Sequence, residues 1–515
     1  MQQDNSTIDV TSNNKNTLPK IIVCAGSTGV GKSALAFALA KYIKEKEQLS
    51  FWKSASIINA DVMQIYEGLP ITTNKPSPSE MEQVKHYFVG EKAGVVSDRS
   101  ELYTVLNYQK DCHELFENEL FLKGNVPIIC GGTNYYIQSV IFDQYLIGKA
   151  EDSNGGQYNE TKEDEEDMKN YTYERLKEID PESAKLIHPN DIRKIKKRIL
   201  LFENNQQVFT EVLESKQDKQ RTLKYDCLFF YLACDNRGVL RKRIEDRAVQ
   251  MMDNGLLDEV VKYHKYLIDN KESLSLSFEH GVLQSIGYKE FLPYLKYLEE
   301  INDLEDVNTS DEAIVKKKQA LKKQCLEALI NSTFKYAKKQ ETWYRSSWAS
   351  AKLPLVSSGK LFKFDISASS PTDIIQSAQE ITTHFLGGQE IPQHLKDNYC
   401  VEKPYEKNPN HPGDESKTYL CEKCGSTHVG YTEYKKHLKT RLHKKRKNND
   451  KSSANKQKKE DDSEVNQSIN EPNNENITLA TNLPNEENPI SNLTAATEST
   501  NAPEEELLIG IQFSQ

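Results

Sequence analysis

The chain has 515 residues, room for three or four domains, and 67 Lys+Arg against 77 Asp+Glu give a net charge of −10, so overall charge offers no argument for a nucleic-acid partner. Apolar residues make up 37% and charged residues 28%, a balance too polar for the whole chain to fold. No run approaches the ~18 apolar residues of a bilayer span, so no membrane partner is expected. The first twenty residues lack a signal pattern and carry no Arg, which argues against secretion. Nine cysteines, widely spaced apart from the pair at 421 and 424, read as reduced thiols plus one metal half-site.

In chain order, residues 1–18 are polar and read as a flexible leader. From Pro19 to about 145, β-rich runs (Ile21–Ala25, Ser56–Asn59, Pro127–Cys130) alternate with helical patterns such as Lys32–Lys44, the pattern of βαβ units on a parallel sheet. Residues 146–225 read as a helical insertion that opens with a solvated acidic stretch at 151–167. It contains the basic run Arg193-Lys194-Ile195-Lys196-Lys197-Arg198 and is followed by another apolar strand at Leu228–Ala233. Residues 226–345 complete the core, mostly as helices, and 346–417 are expected to be an irregular linker. A small module occupies 418–446, and the Asn/Ser/Thr/Glu-rich remainder, 447–515, is expected to be disordered. The fold class is therefore α/β: a P-loop NTPase-like parallel sheet with a helical insertion and a C-terminal ββα zinc finger.

Gly26-Ser27-Thr28-Gly29-Val30-Gly31-Lys32-Ser33 fits G-x-x-x-x-G-K-[ST] between a strand and a helix. Its backbone N–H groups can wrap a phosphate, Lys32 adds a point charge and Ser33 can bind Mg²⁺. The second strand runs into Asp61-Val62-Met63-Gln64, and a later one ends in Gly131-Gly132-Thr133, so a carboxylate and a hydroxyl reach the ligand-binding edge of a parallel sheet. Asp61 alone could be an N-cap and Thr133 a turn residue. Beside the phosphate loop they read as an acceptor and a donor around one diphosphate.

These residues resemble the tRNA dimethylallyltransferases (tRNA isopentenyltransferases). The resemblance rests on GSTGVGKS at 26–33, INADVMQIY at 58–66, Lys75-Pro76, His86-Tyr87, CGGTNYYIQSVI at 130–141, HPND at 188–191, the 237–260 segment, SIGYKEF at 285–291 and YAKKQETWYR at 336–345. It spans 19–345 and implies transfer of a dimethylallyl group from its diphosphate to N6 of adenosine 37 of tRNA. It also implies Asp61 as general base, with Lys32, Ser33, Thr133 and Mg²⁺ stabilising the departing diphosphate. Arg237 matches a family arginine aimed at those phosphates, with a surface salt bridge as the alternative. Arg243 and Arg247 read as a solvated basic face. The resemblance assigns RNA contacts to Asp61, Val62, Met63, Gln64 and Thr133, and to Arg193, Lys194, Ile195, Lys196 and Lys197 in the basic run. Lys194, Lys197, Phe334 and Lys339 stand where the family commonly has arginine, so the bidentate fork is lost there. Phe334 and Trp343 read as structural.

Cys421-x2-Cys424-x12-His437-x5-His443 has the ligand types and spacing of a structural Zn²⁺ site, with lysines and arginines crowding its helix and the helix exit. It resembles the extra finger of eukaryotic members of the same family and reads as an accessory RNA contact. Basic clusters at 444–447 and 456–459 suggest nuclear import. The expected location is cytosol and nucleus, with a mitochondrial pool left open, and a monomer is expected. Three rivals remain: an adenylate isopentenyltransferase acting on free nucleotide, a small-molecule kinase using the same loop for ATP, and an RNA-binding protein with an inactive site.

Overall fold

The computed structural model describes residues 18–46, 51–95, 102–143, 171–187, 189–205, 208–211, 222–270, 281–303, 311–349, 354–404, 418–421, 426–429 and 431–440. The expected leader, the acidic stretch at 151–167 and the tail beyond 447 lie outside them. The described chain forms two units, divided near residue 410.

The larger unit is built on strands β1 (Lys20–Gly26), β2 (Ser54–Asn59), β3 (His86–Tyr87), β4 (Asn125–Gly131), β5 (Asp226–Ala233) and β6 (Leu361–Asp365), in the order β3-β2-β4-β1-β5-β6. Every pairing is parallel. Parallel strands are covered on both faces, and β1 shows why its run is continuously apolar. Ile21, Val23 and Ala25 enter one buried layer and Ile22 and Cys24 the other.

Between these strands run α1 (Lys32–Glu45), the short α2 (Val62–Ile65), α3 (Pro78–Gln83), α4 (Val105–Leu115) and α5 (Asn134–Ile141). Ser77 and Glu80 close a capping box around α3 with Pro78 at its start. After β5 come α9 (Arg237–Asp253), α10 (Leu256–Asp269), α11 (Tyr288–Glu300) and the 32-residue α12 (Glu312–Trp343), the numbers α6 to α8 belonging to the insertion described next. A π-helical turn, Tyr344–Trp348, ends α12. It buries Trp348 completely, against Phe229 at 4.7 Å between ring centroids, and its indole N–H donates to Asn134 Oδ1 at 2.9 Å. Truncating so large a buried ring costs about 3–5 kcal/mol, so this turn is a main attachment of α12 to the sheet.

The insertion leaves the core between α5 and β5 and contains α6 (Tyr173–Ile179), α7 (Pro181–Leu186) and α8 (Ile192–Asn205). Its neck is a two-chain bridge in which Asp143 N donates to Thr222 O at 3.0 Å and Lys224 N to Ile141 O at 2.9 Å. A separate small core of Leu176, Ala184, Ile187, Ile195 and Ile199 holds it together.

The expectation of an irregular linker at 346–417 does not match the structure. This segment supplies β6, α13 (Pro371–Leu386) and α14 (Gln393–Tyr399). Phe362 and Phe364 are fully buried, and Ile374, Ala378, Ile381 and Phe385 recur at helical spacing behind a Ser370 cap with Pro371 at the first position. A five-residue edge strand interrupted by Lys363 is too short to announce itself. Pairing with β5 decides it, and Lys363 reaches Asp235 at 2.6 Å.

The smaller unit pairs β7 (Thr418–Leu420) and β8 (Thr427–Val429) antiparallel, followed by α15 (Tyr431–Lys439). No helix among the described residues is long and apolar enough to cross a membrane.

Candidate active site

Sheet order brings the site together. Because β2, β4 and β1 are neighbours, the loops at their carboxyl ends meet: Asp61 after β2, Gly131–Thr133 at the end of β4 and the phosphate loop after β1. They line a solvent-open crevice of about 540 Å³ with Thr28, Gly29, Lys32, Ser33, Asn59, Gln64, Tyr336, Gln340 and Arg247.

In the phosphate loop, Gly29 and Gly31 hold φ of 85° and 91°, values that side-chain-bearing residues rarely adopt. Lys32 Nζ donates to the Ser27 carbonyl at 2.8 Å. Burial lowers this ammonium to about pKa 8, opposed by Cys130 and Asp61 and assisted by Arg247. The Ser33 hydroxyl, in the first turn of α1, is hydrogen-bonded to Cys130.

Asp61 is held from several sides. Its carboxylate caps α2 by accepting from Met63 N at 3.0 Å. Asn59 accepts from the Asp61 amide at 3.0 Å and donates to the Asp61 carbonyl at 3.0 Å and the Phe88 carbonyl at 2.8 Å. Burial raises the Asp61 pKa above the ordinary 3.8, while the Met63 amide, Lys32, Arg247 and Lys75 pull it down. The residue is thus both an N-cap and a crevice carboxylate. Thr133 Oγ1 accepts from Val62 N at 3.2 Å and is hydrogen-bonded to Tyr336. Gly131 and Gly132 are needed for close approach: a Cβ on Gly131 would lie 2.3 Å from the Ala60 backbone, and one on Gly132 2.1 Å from Gln340 Nε2.

Gln64 donates to the Thr73 and Asn74 carbonyls at 3.1 and 2.6 Å, tying α2 to the 67–75 loop. Glu259 on α10 fixes the other side of that loop by accepting from Ile71 N, Thr72 N and Thr72 Oγ1 at 2.7, 2.8 and 2.7 Å. Lys75, lowered to about pKa 8 by burial, closes the loop with bonds to Gly68 O and Thr73 Oγ1. A second, solvent-open hollow adjoins the crevice through Ser33, Asn59, Gln64, Asn74 and Cys130 and adds Phe37, Ile57, Pro76 and Val89 together with the polar Glu80 and His86.

The expectation that Arg243 and Arg247 form a solvated face does not match the structure. Arg237 is exposed at the start of α9, close enough to Glu341 to oppose the rise in its pKa that burial causes, in line with the salt-bridge alternative. Arg243, in contrast, donates to the Gly29 carbonyl at 2.9 Å and Arg247 to Thr28 Oγ1 at 3.1 Å. The reason is geometric. The apolar residues Leu240 and Ile244 seat α9 against the sheet layer under the phosphate loop, so positions 243 and 247, one turn apart, are carried to that loop while 237 stays at the outer end.

The residues missed by sequence reasoning, apart from these arginines, are Asn59, Tyr336 and Gln340. Gln340 accepts from Thr28 N at 2.8 Å and donates to Gly132 O at 3.1 Å, and Tyr336 bonds to both Thr133 and Gln340. The signal was present in YAKKQ, where the i, i+4 spacing puts Tyr336 and Gln340 on one helix face. Phe334 is half-buried against the β-sheet layer, with Arg241 and Lys338 over its ring. Lys339 is exposed.

In the insertion, the expectation of an RNA contact from Ile195 is corrected: it is 1% exposed, packed with Ile199 one turn on. Lys194 and Lys197 are exposed, Lys194 pairing with Asp191 at 2.7 Å, and Lys196 lies over the Tyr171 ring at 5.2 Å. Arg193 lies on the same helix, its side chain outside the described residues. Arg198, lowered to about pKa 10 by burial, packs over Phe209.

In the smaller unit, Cys421 is buried and its amide donates to Ser426 O at 2.8 Å. His437 lies on α15, its ring stacked on His428 at 4.1 Å between centroids. Cys424 and His443 lie outside the described residues.

The IPP transferase family model matches residues 64–347. The mouse tRNA dimethylallyltransferase is 29% identical over 441 residues, covering 83% of this chain and 86% of that protein. The protein of the same name from Bacillus licheniformis is 30% identical over 375 residues, 73% of this chain and 99% of its own. A solved structure of a eukaryotic dimethylallyltransferase acting on tRNA superposes with a TM-score of 0.61 at 27% identity, covering 86% of this chain and all of that one. With the family model matching more than half of its length, the chain belongs to the IPP transferase family.

Proposed function

We propose that this protein transfers a dimethylallyl group from dimethylallyl diphosphate to N6 of adenosine 37 of tRNA, next to the anticodon. The observation that carries the reading is that Asp61, the phosphate loop, Lys32 and Arg247 line one crevice. An allyl diphosphate offers its charged end to the loop and its reacting carbon to an acceptor beside Asp61, and Phe37, Ile57, Pro76 and Val89 in the mixed hollow next to it can meet part of the five-carbon chain. Family membership supports the same activity.

In this reading the N6 amine attacks the allylic carbon, the C–N bond forms as the C–O bond to diphosphate breaks, and Asp61 accepts a proton from nitrogen. The Met63 amide holds that carboxylate, and Asn59 fixes the Asp61 backbone that carries it. Lys32, Arg247 and the loop amides meet the charge that grows on the departing diphosphate. Tyr336 lines the same crevice and is bonded to Thr133. The Ser33 hydroxyl, a hard oxygen donor, would help to hold a Mg²⁺, which would supply neutralisation of leaving-group charge. The exposed lysines of α8 suit the phosphates of an anticodon stem.

Cys421, Cys424, His437 and His443 are assigned to a structural Zn²⁺. The buried Cys421 after β7 and the His437 imidazole on the following helix support the assignment. The finger would add an RNA contact, and a monomer in cytosol and nucleus completes the reading.

The test is a transfer assay with Mg²⁺, labelled dimethylallyl diphosphate and either an anticodon stem-loop with adenosines at 36–38 or free AMP, each repeated with Asp61→Ala. Label on the stem-loop that is lost with Asp61→Ala is the expected result. Label on AMP alone would move the protein to the free-nucleotide class. Competition by ATP with no transfer would move it to the kinases.

A further inference from the structure

The part of α12 that carries Tyr336 and Gln340 into the crevice continues to Trp343, whose side chain is 38% exposed, while Tyr344 and Trp348 beside it are buried. Trp343 follows Tyr336 by seven residues, two helical turns or about 10 Å along the same edge. In the first turn of α5, Tyr135, two residues beyond Thr133, is 39% exposed. The two helices are fastened side by side here: Gln340 donates to Gly132 O, Gln138 to Ser347 Oγ, and Trp348 to Asn134 Oδ1. Four aromatic side chains are this exposed among the described residues, Phe51, Tyr135, Tyr266 and Trp343, and two of them lie on the helices that bring Thr133 and Gln340 to the site. Lys335 and Lys339, both exposed, share the Trp343 side of α12.

We propose that Trp343, together with Tyr135, is a stacking platform for an unpaired RNA base that flanks the reacting adenosine, a role other than the structural one expected of Trp343 from the sequence. The inference rests on the reading of the chain as a tRNA-modifying transferase. An adenosine drawn into the crevice leaves the stack, and its neighbours each lose a stacking partner. An exposed indole and phenol replace that surface without regard to base identity, since every base has a π-face. The cationic surround selects a polyanion over an apolar protein partner. Trp343 and Tyr135 are positioning residues in this scheme and touch no reacting atom.

The test combines steady-state kinetics with equilibrium binding of a fluorescein-labelled stem-loop, using full-length wild type, Trp343→Ala, Trp343→Phe and Tyr135→Ala. Trp343→Ala should raise both the stem-loop KM and the stem-loop Kd about tenfold and leave the KM for dimethylallyl diphosphate unchanged. Trp343→Phe should recover most of the loss. Unchanged stem-loop Kd in Trp343→Ala and Tyr135→Ala overturns the inference. A Trp343→Ala defect that extends to the diphosphate KM and is not relieved by Phe assigns the ring to packing and overturns it as well. Absence of transfer by wild type overturns the functional reading alone, because the stem-loop Kd still reports on the platform.

Discussion

Gln340 joins the phosphate loop to the loop after β4: its side-chain oxygen accepts from the Thr28 amide at 2.8 Å and its nitrogen donates to the Gly132 carbonyl at 3.1 Å. Both atoms are used, the side chain is buried, and a leucine of similar volume could satisfy neither partner. Leaving a buried amide and carbonyl unpaired costs about 1–3 kcal/mol each. Gln340→Leu is therefore expected to lower the midpoint of urea unfolding and to raise the KM for dimethylallyl diphosphate. Denaturation curves and transfer kinetics check both, and a variant with native values for each would show the bridge to be dispensable.

In the proposed reaction Asp61 accepts the proton, so its titration is expected to set the acid side of the pH profile. Burial raises the carboxyl, and the active form is the ionised one, so kcat/KM should fall as pH drops through a value above the usual 3.8. On the alkaline side, Lys32 and Lys75, both near 8, are charged below that pH and neutral above it. Attraction for diphosphate should then weaken as pH rises past about 8, giving a bell-shaped profile for the free enzyme. Asp61→Asn should lower kcat by roughly 10²–10⁴ with the alkaline limb retained.

The two arginine positions can be separated directly. Arg247 bonds to Thr28 Oγ1 at the phosphate loop, whereas Arg237 is exposed and faces Glu341. Arg247→Ala is expected to reduce kcat/KM for dimethylallyl diphosphate by about 10–100-fold, and Arg237→Ala by no more than about threefold. The opposite ranking in the same assay would refute the assignment made from α9.

Glu259 holds the loop that supplies Gln64's partners and Lys75. Its two carboxylate oxygens accept three hydrogen bonds, one of them shared with the Thr72 hydroxyl. Glu259→Gln converts one acceptor into a donor facing an N–H, at a cost of about 1–3 kcal/mol. The expected outcome is reduced thermal stability together with faster amide hydrogen exchange confined to residues 67–75, read by mass spectrometry.

Zinc removal should affect RNA and leave the chemistry. Elemental analysis is expected to find zinc in the wild type and none after Cys421→Ser or His443→Ala. The variants should bind the stem-loop several-fold more weakly and retain kcat at saturating RNA. A collapse of kcat would point to a role for the finger in the catalytic crevice.

The sequence alone determined the features that depend on local spacing. The phosphate loop between β1 and α1, the carboxylate after β2, the paired glycines after β4 and the helical insertion before β5 were all legible, because glycine placement, strand alternation and helix period act over a few residues. The match of the 26–33 loop to its expected position followed from that. Tertiary structure decided the rest. Which arginine reaches the phosphate loop depends on the seating of Leu240 and Ile244, contacts far from the loop in sequence. Gln340 lies 312 residues from the Thr28 amide it holds. β6 is a strand because β5 offers an open edge to Leu361–Asp365, and Ile195 is buried because it shares a face with Ile199 over a core that three separate helices build. Long-range pairing and packing create these roles, and a local reading of residue types has no access to them.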